Sequence, residues 1–348
     1  METHEKYIRR CFELAKLGIG HVKTNPMVGS VIVHEDKIIG EGYHERYGEG
    51  HAEVNAVKSV KEEDKHLLTQ STIYVSLEPC FHEGKTPPCV DLILALGIPK
   101  VVISAVDPNP KVAGKSIEKL KTQGIEVISG VLEAEGKFVA RRFFHHFQTK
   151  RPYVILKYAQ SKDGFLGRMD KQIWLTNPYS KRLVHKWRSE EAAILTGTNT
   201  IKVDNPKLTN RLWFGASPVR LIIDRRLKLT DDYSVMDGIA RTIIICEKAP
   251  QAARNVLLEY LEINFERGFL KQLLKKLYQL KISSVIIEGG AITLEHFIEK
   301  GLWNEARVFV GDKWLTKGIA APVLPIAPNE EQQIGSDILY TYYNSTNI

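Results

Sequence analysis

Apolar residues in YIRRCFELAKLG recur at helical spacing at Tyr7, Ile8, Cys11, Phe12 and Ala15, so the chain is expected to open on an amphipathic helix. GSVIVHEDKIIGEGYH places two short β-branched runs around a polar HEDK turn and predicts a hairpin. AEVNAVKSV reads as a helix, STIYVSLEPC as a strand, CVDLILALG as a helix stopping at Gly97, and VVISAVDPNP as another strand. SIEKLKTQG and IEVISGV continue the rhythm. Strands separated by helices predict a three-layer α/β/α sandwich.

The pattern pauses at ARRFFHHFQTKRP, where charge, aromatics and Pro152 mark a boundary, giving expected domains of 1–147 and 148–348. A second α/β series follows. Its strands are YVILKYA, AAILTG, VRLIID, RTIIIC, VIIEGG and ARVFV, with helices at YSKRLVHKWRSE, FLKQLLKKLYQL and TLEHFIEKG. NEEQQIGSDILYTYYNSTNI fits neither template.

A length of 348 residues suits two cores, and 43% hydrophobic with 26% charged residues is the balance of a globular protein. No apolar run approaches the roughly 20 residues of a membrane helix, and the first residues lack a signal-peptide apolar block. A cytoplasmic protein is the expectation, with its four Cys reduced and available to metal. Residues 1–150 hold 20 Lys+Arg against 20 Asp+Glu, while the remainder holds 28 against 21 and so carries the whole net charge of +7. Either a solvated basic face or a phosphate-bearing ligand accounts for that excess; without a Lys/Arg-rich block, no nucleic-acid partner is expected.

The densest chemistry lies in HAEVNA (51–56) and EPCFHEGKTPPC (78–89). His51, Cys80 and Cys89 offer zinc one imidazole and two thiolates, and a Cys opening a helix is biased toward thiolate. Three protein ligands leave the fourth position for water, whose pKa the metal lowers to about 7. Glu53 is placed to carry the proton as the catalytic acid–base. The order H-x-E…P-C…C is that of zinc nucleobase deaminases. The alternatives are a buried His beside two unrelated Cys, or a closed structural site completed by His82.

The eight residues between Cys80 and Cys89 narrow the field. EPCFHEGKTPPC, with NPMVGSVIV (25–33), GYHERYGEGHAE (42–53) and DPNPKVAG (107–114), resembles the deaminase half of the bifunctional RibD family of riboflavin biosynthesis. The resemblance implies a cytidine-deaminase-like fold and hydrolytic removal of the 2-amino group from a diaminopyrimidine bearing a phosphoribosylamino arm. It implies that Asn25 faces the base, that His44 and His82 stand close to it, and that Lys85 reaches its phosphate. Asp107 and Asn109 sit on a post-strand loop within reach of a ligand, or form a plain DPNP turn.

The second half lacks a GxGxxG after its first strand, so a standard dinucleotide-binding unit is not expected. VIIEGGAITLEHFI is a strand, a glycine pair and a helix, which suits a phosphate or an ordinary strand–turn–helix. RPYVILKYAQSKDG, IWLTN, AILTGTNTIKVDNPKLTNR and IIEGGAITL are similar to successive blocks of the reductase half of the same family. That similarity implies a dihydrofolate-reductase-like α/β fold and NADPH-dependent reduction of the ribose to a ribityl chain. It assigns Ala159, Trp174, Thr200, Asp204 and Gly290, Ala291, Ile292, Thr293, Leu294, Glu295 and His296 to the cofactor. It assigns Lys157, Gln172, Arg188, Leu208, Arg211 and Glu288 to the substrate, the arginines suiting its phosphate. Plain packing also accounts for Trp174 and Leu208, a solvent-facing side chain for Lys157, and a turn for Asp204.

Two positions depart from the family's usual S-L-D-G-K, which here reads Ser161-Lys162-Asp163-Gly164-Phe165, and APVLP near residue 323 lacks a common glycine. The resemblance further implies a homo-oligomer acting on a small molecule, without a membrane partner. The alternatives are a tRNA or nucleoside deaminase with an unrelated C-terminal domain, and a non-enzymatic zinc protein that binds nucleic acid.

Overall fold

The computed structural model describes residues 2–81, 87–109, 112–168, 173–250 and 256–345. They form two compact units, Met1–Thr149 and Lys150–Ile348.

The first unit runs α1 (Glu2–Lys16), β1 (Gly29–His34), β2 (Lys37–Tyr43), α2 (Ala52–Ser59), β3 (Thr72–Leu77), α3 (Cys89–Ala95), β4 (Lys100–Ala105), α4 (Lys115–Thr122), β5 (Glu126–Ser129), α5 (Glu133–Val139) and α6 (Arg141–Thr149). Its sheet has the order β2-β1-β3-β4-β5. β1 is antiparallel to β2 and β3, and β3, β4 and β5 are parallel. Strand alternation divides the core. Ile32, Ile73, Val75, Val101 and Ile103 pack on one face with Ala56, Val90, Ile93 and Leu120 of α2, α3 and α4. Val31, Val33, Tyr74 and Val102 pack on the other with Tyr7, Ile8, Cys11, Phe12 and Val139 of α1 and α5. Each fully buried aliphatic side chain contributes roughly 1.5–3 kcal/mol. The expected sandwich is therefore present.

α2 comes unusually close to the sheet because β2 offers it glycines. A Cβ on Gly42 would stand 2.2 Å from Ala56 N, and one on Gly40 would stand 2.5 Å from Ala56 O. That contact sets the position of the helix whose first residues follow His51.

The second unit runs β6 (Tyr153–Gln160), β7 (Phe165–Gly167), α7 (Pro178–Glu190), β8 (Ala193–Gly197), α8 (Thr198–Asp204), β9 (Val219–Ile223), β10 (Thr242–Cys246), β11 (Leu258–Glu262), α9 (Phe269–Gln279), β12 (Ser284–Ile287), α10 (Ala291–Glu299), β13 (Glu305–Val310), β14 (Ile319–Ala320), β15 (Glu330–Ile334) and β16 (Asp337–Tyr343). The main sheet has the order β11-β10-β9-β8-β12-β6-β13-β16-β15, and β7 pairs with β14 separately. β11 through β13 in that order are parallel, and β16 and β15 add antiparallel. Parallel strands covered on both faces read as unbroken apolar runs, as TIIIC does in β10. Val154 and Leu156 face Leu273, Leu277, Leu294 and Phe297 of α9 and α10, while Tyr153 and Ile155 face Val184 and Trp187 of α7.

Several segments differ from the expectation. RRFFHHFQT is the helix α6, with Phe143 and Phe144 buried, because its aromatics line one face of a turn-by-turn repeat rather than a linker. The unplaced C-terminal stretch is the hairpin β15–β16, which turns at Gly335 with φ 61° and completes the sheet beside β13. There Asp337 accepts from Asn177 N–H at 2.8 Å and Ser180 Oγ–H at 2.6 Å, so a residue from the end of the chain braces the start of α7. α8 and β11 were not anticipated, since seven and five residues are too few to show a period.

Candidate active sites of the two units

In the first unit, His51 caps α2, Cys80 follows β3, and Cys89 is the first residue of α3. His51 Nδ1 lies 3.4 Å from Cys80 Sγ and 3.3 Å from Cys89 Sγ, and the Cys89 backbone N–H donates to Cys80 Sγ at 3.2 Å. All three ligand atoms lie within 4.8 Å of one another, and no fourth His, Cys, Asp or Glu among the described residues joins them. A tetrahedral ion with bonds of about 2.0–2.3 Å requires donors about 3.5 Å apart, so the set fits zinc. The hydrogen bond from Cys89 pulls the Cys80 thiol well below its ordinary range, burial opposes this, and His51 adds to the pull. Cys80 is thus a thiolate, the form that binds metal.

Glu53, the second residue of α2, is buried, and burial followed by the negative Cys80 pushes its carboxyl up to about 7. His44 is buried as well, and burial lowers its pKa, so the ring is neutral. Gly50 O can only accept, so His44 Nδ1 carries the proton it donates there at 3.1 Å. His44 Nε2 then accepts from Asn25 Nδ2 at 3.1 Å. The His44 ring meets that of His51 edge-on, with centroids 5.3 Å apart, which brings Asn25, His44 and the metal set together.

Asp107 Oδ1 accepts from Asn109 N–H at 2.7 Å, the local bond of an Asx turn. The sequence reading missed Glu78. This buried carboxylate accepts from the backbone N–H groups of Asp107 (3.3 Å), Gly114 (3.0 Å) and Ser116 (3.2 Å), while Ser116 Oγ donates to Pro79 O at 2.6 Å. Glu78 therefore ties Asp107, Gly114 and the start of α4 to the segment that presents Cys80. The signal available was a carboxylate directly before Pro-Cys at the end of an apolar strand. His82 and Lys85 lie outside the described residues.

The second unit assembles an ion cluster at the C-terminal ends of its central strands. Register pairs Leu156 with Ile287, so Lys157 of β6 comes beside Glu288 at the end of β12. Lys157 Nζ lies 3.6 Å from Glu288 Oε2, and Arg188 of α7 donates to both oxygens of that carboxylate at 3.1 and 2.8 Å. Burial would raise the Glu288 carboxyl, but Arg188 and Lys157 overcome it and hold it at about 2. Lys157 is thus a paired, half-buried side chain and not a solvent-facing one. Burial, then Arg188 and Arg211, press the neighbouring His185 down to about 4. Its Nδ1 accepts the Arg211 backbone N–H at 2.9 Å, and Arg211 Nη1 donates to Thr209 Oγ1 at 2.8 Å.

Leu208 is 2% exposed, packs with Ile194, Ile201 and Ile222, and stands at φ 54°. Gln172 lies outside the described residues. Trp174 is 61% exposed, with Lys181 Nζ 4.5 Å from its ring centre. Ala159 lies near the end of β6 and Asp204 is exposed at the end of α8.

Beside the cluster is a crevice shaped by glycine. A Cβ on Gly289 would stand 3.0 Å from Thr293 Cβ, one on Gly290 would stand 3.3 Å from Thr200 Oγ1, and one on Gly197 would stand 3.2 Å from Thr293 Oγ1. Any side chain there would fill the space at the start of α10, where Gly290 caps the helix without a side-chain acceptor. Free N–H groups at such a helix start suit phosphate, so this chain's residues fit a dinucleotide. Ala291, Ile292 and Thr293 form that first turn, Leu294 is in the core, and Glu295 and His296 are exposed. Of the two departures, Lys162 pairs with Asp312, and the Phe165 side chain lies beside Gly318.

Comparison with known proteins agrees with this division. Residues 1–105 match the family described as the cytidine and deoxycytidylate deaminase zinc-binding region, and residues 152–324 match the RibD C-terminal domain. The chain is 39% identical to riboflavin biosynthesis protein RibD of Aquifex aeolicus, over 95% of this chain and 93% of that one. It is 34% identical to RibD of Escherichia coli, over 89% and 88%. It is similar to the crystal structure of a diaminohydroxyphosphoribosylaminopyrimidine deaminase/5-amino-6-(5-phosphoribosylamino)uracil reductase from Thermotoga maritima, with a TM-score of 0.88, 36% identity and 98% of each chain covered. Acinetobacter baumannii RibD gives a TM-score of 0.88 at 32% identity, covering 98% of this chain and 99% of that one. Neither a nucleoside deaminase with an unrelated appendage nor a non-enzymatic zinc protein is favoured once both halves match along their length. The chain belongs to the RibD family of riboflavin biosynthesis, and it joins a zinc-binding deaminase to an NADPH-dependent reductase.

Proposed function

We propose that the first unit deaminates 2,5-diamino-6-(5-phosphoribosylamino)pyrimidin-4(3H)-one and that the second reduces the ribose of the resulting uracil. His51, Cys80 and Cys89 would hold the zinc ion, which when bound supplies a water activated near neutral pH. Glu53 takes the proton of that water and delivers it to the departing amine, a task suited to a carboxyl whose pKa stands at about 7. Asn25, oriented by neutral His44, hydrogen-bonds the base edge. His82 is proposed to contact the substrate and Lys85 its phosphate, with Asp107 and Asn109 also within reach of the ligand.

In the second unit, Lys157 and Glu288 position the opened ribose, and Arg188 and Arg211 bind its phosphate. Gln172 and the backbone of Leu208, whose side chain is in the core, are proposed to complete the substrate side. NADPH supplies the hydride. The Gly290–His296 segment would hold its phosphates, while Ala159, Trp174, Thr200 and Asp204 would contact the rest of the cofactor.

The observation that carries this reading is the close set of His51 Nδ1 with two cysteine sulfurs, joined to a buried Glu53. The test is incubation of the full chain with the diaminopyrimidine ribotide, with and without NADPH, followed by product masses. Exchange of an amine for a carbonyl oxygen is expected without NADPH, and two further hydrogens with it. An unchanged ribotide in the zinc-loaded protein would overturn the reading. We also infer a cytoplasmic homo-oligomer that binds neither nucleic acid nor membrane. In support, no helix among the described residues is long and apolar enough to cross a membrane. Size-exclusion chromatography with light scattering checks the oligomer.

A further inference from the structure

The glycine crevice continues sideways onto a basic turn. Register aligns Gly197 of β8 with Ile223 of β9, and Ile223 with Ile245 of β10, so the three strand ends lie side by side. Thr198, which opens α8, donates through Oγ1 to Ile223 O at 2.7 Å and to Asp224 Oδ1 at 3.2 Å. The turn after β9 therefore borders the crevice at Gly197 and Gly290. Parallel strands are spaced about 4.8 Å apart, so this turn lies roughly 10 Å from the end of β12, the scale of one nucleotide.

The polarity of that turn discriminates between cofactors. A crevice built for an unphosphorylated ribose offers an acceptor carboxylate at a strand end, whereas one built for a 2′-phosphate offers arginine. Here the strand-end acid is Asp224, and it is 1% exposed. Its second oxygen accepts from Leu229 N–H at 2.9 Å, so it staples the turn together and is not presented to a ligand. The next two residues are Arg225 and Arg226. Arg225 grips both oxygens of Glu247, at 3.1 and 2.7 Å, and neutralises the acid that ends the neighbouring strand. Arg226 is exposed and makes no hydrogen bond or ion pair among the described residues, although its charge helps to lower the Glu247 carboxyl.

Building on the NADPH-dependent reductase reading, we propose that Arg226 is the residue that recognises the 2′-phosphate on the adenosine ribose of NADPH, with Arg225 cancelling the repulsion of Glu247. The guanidinium forms charge-assisted hydrogen bonds to the phosphate oxygens and contributes nothing to a ribose that lacks them.

Calorimetric titration of the full chain with adenosine 2′,5′-bisphosphate and with adenosine 5′-monophosphate, a pair that differs only in the 2′-phosphate, isolates this contact. The native protein is expected to prefer the bisphosphate. Arg226→Ala is expected to weaken bisphosphate binding about 10- to 100-fold and leave the monophosphate unchanged, with Arg226→Lys intermediate. KM for NADPH is expected to rise by a similar factor, with kcat and the KM for NADH little altered. Equal losses for both nucleotides, or none for either, would overturn the assignment. So would a native protein that does not distinguish them. In each of those cases, continued NADPH oxidation with the deaminated ribotide would leave the reductase reading standing.

Discussion

Two glutamates, the buried Glu53 of the first unit and the half-buried Glu288 of the second, are driven in opposite directions. Glu53 rises to about 7, whereas Glu288 falls to about 2. Burial raises both. What separates them is the company each keeps: Glu53 lies beside the Cys80 thiolate, while Glu288 lies between Arg188 and Lys157. The first is a carboxyl whose pKa lies near neutral, as the proposed proton carrier requires. The second is a permanent anion that holds two cations in place. The same residue type thus stands near its titration point in one unit and serves as an electrostatic anchor in the other.

The strongest test of that contrast is Glu53→Gln. Deamination should fall about 10²- to 10⁴-fold in kcat while zinc stays bound and reduction of supplied intermediate is unaffected. Zinc content and the two separate turnover assays check this, and undiminished deamination would remove Glu53 from its role.

Glu288→Gln should act quite differently. It leaves Arg188 and Lys157, whose side chains are 11% and 16% exposed, without their carboxylate. A loss of about 3–5 kcal/mol from the second unit is expected, together with loss of reduction but not of deamination. Denaturant unfolding followed beside both assays would show it, and a native unfolding midpoint would contradict the anchor role.

The pH dependence has a defined sign. The Glu288 pKa is depressed on folding, from 4.5 to about 2. Its stabilisation is therefore complete above the unfolded value and is lost as pH falls from about 4.5 toward 2. Acid unfolding monitored by tryptophan fluorescence should show this loss in the native chain, and the slope should flatten in Glu288→Gln.

Glu78→Gln should have a smaller effect, about 1–3 kcal/mol in the first unit, with a higher KM for deamination because Asp107, Gly114 and Ser116 lose their shared charged acceptor. A change confined to kcat would instead place Glu78 in the chemistry. The smallest effect belongs to Lys162→Ala. Its partner Asp312 is solvent-exposed, so neither the unfolding midpoint nor the reductase KM should move measurably.

The two sites also differ in how much of each was legible along the chain. The zinc set could be read because the chemistry demands rare residue types, and because His51–Glu53 and Pro79–Cys80 are local pairs at the ends of well-patterned elements. Resemblance pointed to Lys157, Arg188 and Glu288 one by one. Their assembly into a single cluster depends on β12 inserting between β8 and β6, a topology that no local pattern announces. Glu78 escaped notice because its partners are backbone N–H groups up to 38 residues away. Leu208 reads as a contact residue, yet its side chain lies in the core.

The sequence by itself determined the two-unit α/β organisation and the metal-binding residue types, since periodicity and donor chemistry are properties of neighbouring residues. Only the tertiary structure decided the protonation of the two glutamates, the pairing of Lys157 and the placing of the C-terminal hairpin. These depend on distances between groups far apart in the chain, and electrostatic energy inside a protein varies steeply with such distances.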